Sequence, residues 1–229
     1  MTDNKTMIIN LDKKSIVPIL SCMPNNEDTV ITIKGGNLEI YSMRNPLLAF
    51  AFFKVENCTD IIFSIKCDSI LKQIKSFDKD IKLEINKSMI NLACGDKKFM
   101  NNQLVTDTVK QYPKLISDKP ILFSAKEFIQ TLDQCELVAD SVRFTREGEQ
   151  LIIFGYDSKT EIDKFRFRTK VKQVEDVNSK FSIKNLKSLI DINFYEFKIY
   201  VGVDIPIKIS GRSGDIEYTS VLAPLVKND

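Results

Sequence analysis

Histidine is absent from this chain of 229 residues, and so is tryptophan. Without histidine there is no Ser-His-Asp or Cys-His triad and no imidazole general base. No zinc site is open to it except one made of cysteine and carboxylates. Cysteine is sparse: Cys22, Cys58, Cys67, Cys94 and Cys135 are odd in number and form no CxxC pair. That usage predicts free thiols, buried or half-buried, in a reducing compartment. Long apolar runs are also missing. The longest, Leu47 to Phe53, has seven residues, where a bilayer-spanning helix needs ~20. The start, Met1-Thr2-Asp3-Asn4-Lys5, is polar and lacks the apolar core of a signal peptide. A cytoplasmic protein is expected, or a nuclear one in a eukaryote, with no membrane partner.

Charge of one sign is not in excess. Lys and Arg number 33 against 31 Asp and Glu, a net charge of +2, so the placement of charges matters more than their sum. The chain has no GxxxxGK(S/T), no GxGxxG and no GxSxG. Its many carboxylates form no recognisable acid/base pair of the kind a histidine-free hydrolase would need. No catalytic residue, metal or cofactor is expected, and the chain does not read as an enzyme. With 43% hydrophobic and 28% charged residues, it reads as a globular protein long enough for one large domain or two small ones.

What the chain does have is a repeat. Phe63-Ser64-Ile65-Lys66 recurs as Phe181-Ser182-Ile183-Lys184, 118 residues on. Each is followed by a short amphipathic helix and an alternating strand, then by a second strand that closes at Gly95 or Gly211. Upstream, Asp28 to Ile33 matches Asp140 to Thr145. Each of these leads through a glycine turn, at Gly35-Gly36 or Gly148, into another strand. Both halves read strand, helix, three strands, strand, helix, three strands, with about 17 or 18 strands in all. Strands that alternate apolar and polar suit antiparallel sheets with one face on a core. The helix stripes Ile70/Leu71/Ile74 and Leu186/Leu189/Ile190 must pack on those faces. The class is α+β, with two similar domains over 1–103 and 120–229. The stretch 104–119 lacks any sustained period and reads as an interdomain connection.

Near the end stands Val203-Asp204-Ile205-Pro206-Ile207-Lys208-Ile209. It is followed by Ile216-Glu217-Tyr218-Thr219-Ser220-Val221-Leu222-Ala223-Pro224. With the duplication, with Gly36 to Met43, and with Glu127-Phe128 and Asp140-Ser141-Val142, this end resembles the DNA sliding clamps of the proliferating cell nuclear antigen (PCNA) type. In that family a strand opening in a D-x-P turn precedes a closing strand that ends in Leu-Ala-Pro. In length and connection the chain is also similar to clamps of large tailed phages.

The resemblance implies a ring of three protomers, with sheets outside and four short helices lining a hole for duplex DNA. It implies a processivity factor that tethers a DNA polymerase to its template, at a nucleoid or viral replication site or in a nucleus. The implied partners are double-stranded DNA without sequence preference, DNA polymerase, a clamp-loader ATPase, and a ligase and flap nuclease that dock through short peptides. The alternative is a clamp-fold subunit of a heteromeric ring, or a viral transcription or checkpoint factor that closes no ring alone.

A sliding sleeve needs phosphate contacts without base contacts, which suits lysine. Lys72 and Lys75 lie three apart, off the apolar stripe of their helix, and Lys184 and Lys187 do the same in the other half. Lys13, Lys14 and Lys126 are the further DNA candidates. If Asp12 caps the first helix, Pro18 falls inside it and removes a hydrogen bond. If Ser15 caps it, Pro18 sits in the first turn and is tolerated. Gln130, Asp133 and Asp191 stand where the family is commonly basic, so that part of the hole is expected to be less basic. The resemblance places a peptide groove at Met43, Leu47, Leu48, Tyr112, Leu115, Ile116, Ile205, Pro206, Val221, Leu222, Ala223 and Pro224. It places the subunit joint at the strands 97–103 and 163–170, with Lys98, Met100 and Asn102 facing Lys164, Arg166 and Arg168 across it.

Overall fold

A computed structural model describes residues 6–24, 28–56, 58–86, 89–102, 119–172 and 175–225. One element order runs through it twice. The first half holds β1 (Met7–Leu11), α1 (Lys13–Ser21), β2 (Asp28–Lys34), β3 (Asn37–Arg44) and β4 (Leu47–Lys54). It continues with β5 (Ile61–Lys66), α2 (Cys67–Lys75), β6 (Ile81–Ile85), β7 (Met89–Cys94) and β8 (Lys97–Asn102). The second holds β9 (Ile121–Leu122), α3 (Ala125–Glu136), β10 (Ser141–Glu147), β11 (Gln150–Asp157) and β12 (Ile162–Lys172). It ends with β13 (Asn178–Ser182), α4 (Ile183–Ser188), β14 (Tyr195–Tyr200), β15 (Ile207–Ser213) and β16 (Ile216–Leu222). The described residues thus carry 16 strands and four helices.

The residues fall into two compact units. Among the described residues the first takes 6–44, 49–102 and 213–218, and the second takes 45–48, 119–212 and 219–225. Of the connection read at 104–119, only Lys119 lies within the described residues; its ammonium pairs with Glu175 at 3.3 Å. In the first half the strands lie in the orders β1-β6-β7-β8 and β5-β2-β3-β4. In the second they lie in the orders β9-β14-β15-β16 and β13-β10-β11-β12. Neighbours such as β1/β6, β7/β8, β10/β13 and β11/β12 are antiparallel. Strict alternation sets the faces: in β1, Met7, Ile9 and Leu11 are buried while Ile8 and Asn10 are exposed.

The repeat is real in element order, but its sequence marker is out of phase. Ser182 caps α4, its hydroxyl accepting from Asn185 N at 3.4 Å. The matching Ser64 is buried inside β5, and the helix that follows starts two residues further on, at Cys67. Cys67 and Ile183 open the two helices 116 residues apart, not 118. Ile70 and Ile74 then fall on Leu186 and Ile190, all four buried. The closing glycine also moves. Gly211 lies within β15, where an added Cβ would meet Phe194 Cβ at 3.2 Å, and the turn after that strand is made by Gly214, at φ +58.

Asp12 is the cap of α1: its carboxylate accepts from Lys14 N at 3.1 Å and from the Ser15 hydroxyl. Pro18 is therefore inside the helix, buried, and takes away the bond its nitrogen would have given to the Lys14 carbonyl. The helix ends three residues later.

The two cores are filled differently. Aligning the helix caps Asp12 and Ser124, the hairpins Lys34/Asn37 and Glu147/Gln150, and the starts of α2 and α4 sets Ile16 on Phe128, Ile31 on Phe144 and Ile65 on Phe181. In the second unit those phenylalanines pack together, Phe128 tilted against Phe144 at a centroid distance of 6.3 Å and Phe144 edge-on to Phe181 at 5.8 Å. In the first unit the three aliphatic counterparts line an apolar cavity of about 30 Å³, together with Leu11, Leu38 and Leu83. The space is large enough for a water, but its apolar lining offers one no hydrogen-bond partner.

All five cysteines are free thiols. Cys22, Cys67 and Cys135 are buried and Cys58 and Cys94 half-buried. Burial pushes the Cys67 thiol up to about 12 and the Cys135 thiol up to about 11, so neither is a nucleophile at neutral pH. Among the described residues no helix is long and apolar enough to cross a membrane.

Candidate functional site

Each unit sets two helices side by side, α1 with α2 and α3 with α4. The buried stripe of each helix fixes which residues are left outward. On α2, burial of Cys67, Ile70 and Ile74 leaves Lys72 and Lys75 exposed. On α4, Ile183 and Leu186 are buried, and Lys184 is exposed. Lys14 and Lys126, each the second residue of its helix, are exposed too. None of these five lysines has an ion-pair partner among the described residues.

The other two candidates are engaged. The Lys13 ammonium donates to Lys75 O at 3.2 Å and to Phe77 O, which satisfies carbonyls at the C-terminal end of α2. Lys187 is half-buried between two carboxylates of α3. Its Nζ stands 2.7 Å from Asp133 Oδ1 and 2.6 Å from Glu136 Oε2. The hydrogen bond to Asp133 above all, and then that to Glu136, hold the Lys187 ammonium above its ordinary pKa. Asp133 is visible in the sequence as a departure. Glu136 is not, because its partner is 51 residues away.

The segments assigned to the peptide groove divide by burial. Within the second unit, Ala223 N donates to Pro46 O at 3.2 Å, which lays Leu47 beside the Leu-Ala-Pro end. Leu47, Ile205, Pro206, Ala223 and Pro224 are half-buried and keep surface. Leu48, Val221 and Leu222 do not: they are 7%, 5% and 1% exposed and belong to the core. Val221 and Leu222 are successive residues, so β16 is covered on both faces at its end. Ile205 folds back over Gly202, where an added Cβ would lie 2.7 Å from its Cδ1. Met43, in the first unit, is 52% exposed and its sulfur accepts from the Tyr41 hydroxyl at 3.7 Å. Tyr112, Leu115 and Ile116 lie outside the described residues.

The joint candidates lie on outermost strands. β8 is last in β1-β6-β7-β8, and β12 is first in β12-β11-β10-β13. An outermost strand has one row of backbone N–H and C=O groups without a neighbour in its own sheet. On β8, Met100 is 70% exposed, while Lys98 reaches Glu84 at 2.6 Å. Asn102 lies opposite Met89 in the ladder. On β12, Lys164 pairs with Asp157, Arg166 with Glu147, and Arg168 with Glu147 at 3.6 Å. Lys164, Arg166 and Arg168 are thus each engaged by a carboxylate of their own unit, with Glu147 shared between the two arginines. The Lys98 ammonium holds Glu84, and the Lys164 ammonium holds Asp157, below the usual carboxylate range.

No protein-family model matches the chain. A DNA polymerase sliding clamp from Methanococcus vannielii is 28% identical over 127 residues, 51% of this chain. The chain covers 49% of that curated relative, about half its length. Solved structures agree over far more of the molecule. A. fulgidus PCNA, solved with the C-terminal region of FEN-1, superposes at a TM-score of 0.80 with 15% identity over 97% of this chain and 99% of that one. PCNA from Entamoeba histolytica gives 0.79 with 14% identity over 96% and 98%. The DNA polymerase III beta subunit of Borrelia burgdorferi gives 0.81 with 14% identity, over all of this chain and 65% of that one. The fold is that of the PCNA-type sliding clamps, and the α+β class read from the repeat holds.

Proposed function

We propose that this chain is a DNA polymerase processivity factor: three copies close a ring around duplex DNA and tether the polymerase to it. One observation carries the reading. In both units the helix pair presents exposed lysines without carboxylate partners: Lys14, Lys72 and Lys75 in the first, Lys126 and Lys184 in the second. Flexible point charges of this kind exchange phosphates without reading bases. The relative named as a sliding clamp, matched over about half its length, supports the same reading.

The ring would close by pairing β8 of one protomer with β12 of the next, since both are outermost strands. Leu47, Ile205, Pro206, Ala223 and Pro224 would take the apolar side chains of partner peptides. A partner such as the FEN-1 C-terminal region, bound in the A. fulgidus structure, sets the type, as do a ligase and the polymerase. A clamp-loader ATPase would open the ring. The protein performs no chemistry in this role, which agrees with its lack of histidine.

The test joins mass and activity. Light scattering should give three times 26.2 kDa. The chain should then extend the run length of a replicative polymerase on primed circular DNA after loading, and Lys72→Ala/Lys75→Ala/Lys184→Ala should not. A strict monomer that trimerises only with paralogous chains would move the reading to a heteromeric ring. A triple lysine variant that loads and slides like the parent would remove these helices from the DNA face.

A further inference from the structure

The lysine that the repeat offers most naturally to DNA is the one the structure withdraws. Lys187 is three residues from Lys184 on the short helix α4, as Lys75 is from Lys72 on α2. Asp133 and Glu136, themselves three apart and so neighbours on α3, bracket its ammonium at 2.7 and 2.6 Å. Two carboxylates on one ammonium leave the cluster with a net charge of −1. A phosphate approaching Lys187 would meet both carboxylates inside one Debye length, and the attraction of one cation cannot offset them.

The first unit has no such bracket. With the caps Asp12 and Ser124 aligned, Asp133 and Glu136 fall on Ser21 and Pro24, neither of them charged. Lys72 and Lys75 stay exposed, without an ion pair among the described residues. On the helices of the second unit the lysines without an ion pair among the described residues, Lys126 and Lys184, both lie in the first turn. On those of the first unit, Lys14 lies in the first turn of α1, and Lys72 and Lys75 in the last turn of α2.

We propose that Asp133 and Glu136 hold Lys187 out of phosphate contact, so that the second unit grips duplex DNA through Lys126 and Lys184 alone. This rests on the DNA reading above and sharpens it. The two acids are negative determinants of grip: they reduce the number of phosphates engaged per protomer and keep the sleeve loose.

The salt dependence of binding counts phosphate contacts, with a slope of log K on log salt that changes by about 0.9 for each one, and the changes given below are per protomer, one third of those of a ring of three. The measurement is fluorescence anisotropy of a labelled DNA duplex of arbitrary sequence with the full chain at a series of salt concentrations. Lys187→Gln should leave the slope unchanged. Asp133→Asn/Glu136→Gln should steepen it by about 0.9 and tighten binding, because Lys187 is then released. Lys72→Gln/Lys75→Gln should flatten it by up to about 1.8. A flattening of about 0.9 by Lys187→Gln, or no change with the double acid variant, overturns the proposal. If the double variant folds poorly by its melting curve, the single variants Asp133→Asn and Glu136→Gln decide by the same slope. A parent chain whose binding shows no salt slope overturns the DNA reading itself, an outcome separate from any comparison among variants.

Discussion

Gly214 and Ser15 approach so closely that a β-carbon on Gly214 would lie 2.8 Å from Ser15 Cβ, and closer still to the Ser15 hydroxyl oxygen. The turn between β15 and β16 is thereby set against the capped start of α1, within the first unit. Gly214 also has φ +58, where an L side chain is strained. Gly214→Ala meets both penalties and should cost about 2–4 kcal/mol. Urea unfolding measures it, and a loss below about 0.5 kcal/mol, the range of an ordinary surface change, would show that this turn yields freely.

The cap of α1 predicts a graded pair. Asp12→Ala removes the side-chain acceptor for Lys14 N and Ser15, and should cost about 1 kcal/mol. Asp12→Asn keeps an acceptor and should cost less. Equal losses for the two would mean that the charge, not the hydrogen bond, is what matters at this cap.

Acid should weaken the fold in a defined window. The Ser15 hydroxyl holds the Asp12 carboxyl below its usual value, and Lys98 and Lys164 do so for Glu84 and Asp157. A carboxylate with a folded pKa below its unfolded one adds stability that is complete above the unfolded value and is lost as pH falls through the folded one. The melting temperature should stay level from neutrality to roughly pH 4.5 and fall below it. Lys98→Met should remove the part owed to Glu84. A melting temperature that rises on acidification below pH 4 contradicts this sign.

The unequal cores predict unequal tolerance. Ile65→Phe puts into the first unit the residue that the second carries at Phe181, beside an apolar cavity that can take part of the ring. It should cost less than about 1 kcal/mol, where overpacking ordinarily costs about 1–3. Phe181→Leu opens a gap in the edge-to-face contact with Phe144 and should cost about 1–3 kcal/mol. Chemical denaturation of both variants gives the comparison, and the reverse order would show that the cavity is already closed in solution.

The proposed ring has a simple probe in Met100, which is 70% exposed on the outermost strand β8. Met100→Asp should leave the melting curve of the protomer nearly unchanged, because the side chain is not in the core. If β8 meets β12 of the next copy, the same change should shift the mass in solution from trimer toward monomer. An unaltered trimer would place the joint elsewhere.

Much of this molecule could be read from its letters, for reasons that differ from place to place. The alternation in β1 and the stripes Ile70/Ile74 and Leu186/Ile190 announce both element type and buried face, because period alone decides them. The tetrapeptide shared at Phe63 and Phe181 misled by two residues. A strand can end or continue into a helix with little local preference, and the cap at Ser182 is chosen by what surrounds it. Leu48, Val221 and Leu222 could not be told from surface residues, since a run such as Val221-Leu222-Ala223 does not say which side faces in. Lys187 was beyond reach for another reason. Its electrostatics depend on Asp133 and Glu136, on a helix 51 residues earlier in the chain for the nearer of the two in sequence.

The Tyr218 hydroxyl donates to Cys22 O at 3.1 Å, across 196 residues of chain. Both groups belong to the first unit, as does the whole segment 213–218. During synthesis, then, the first unit emerges early but waits for its last piece until nearly all of the second has left the ribosome. A chain stopped short of Tyr218 should damage the half that was made first, and the order of translation is not the order in which the halves are completed.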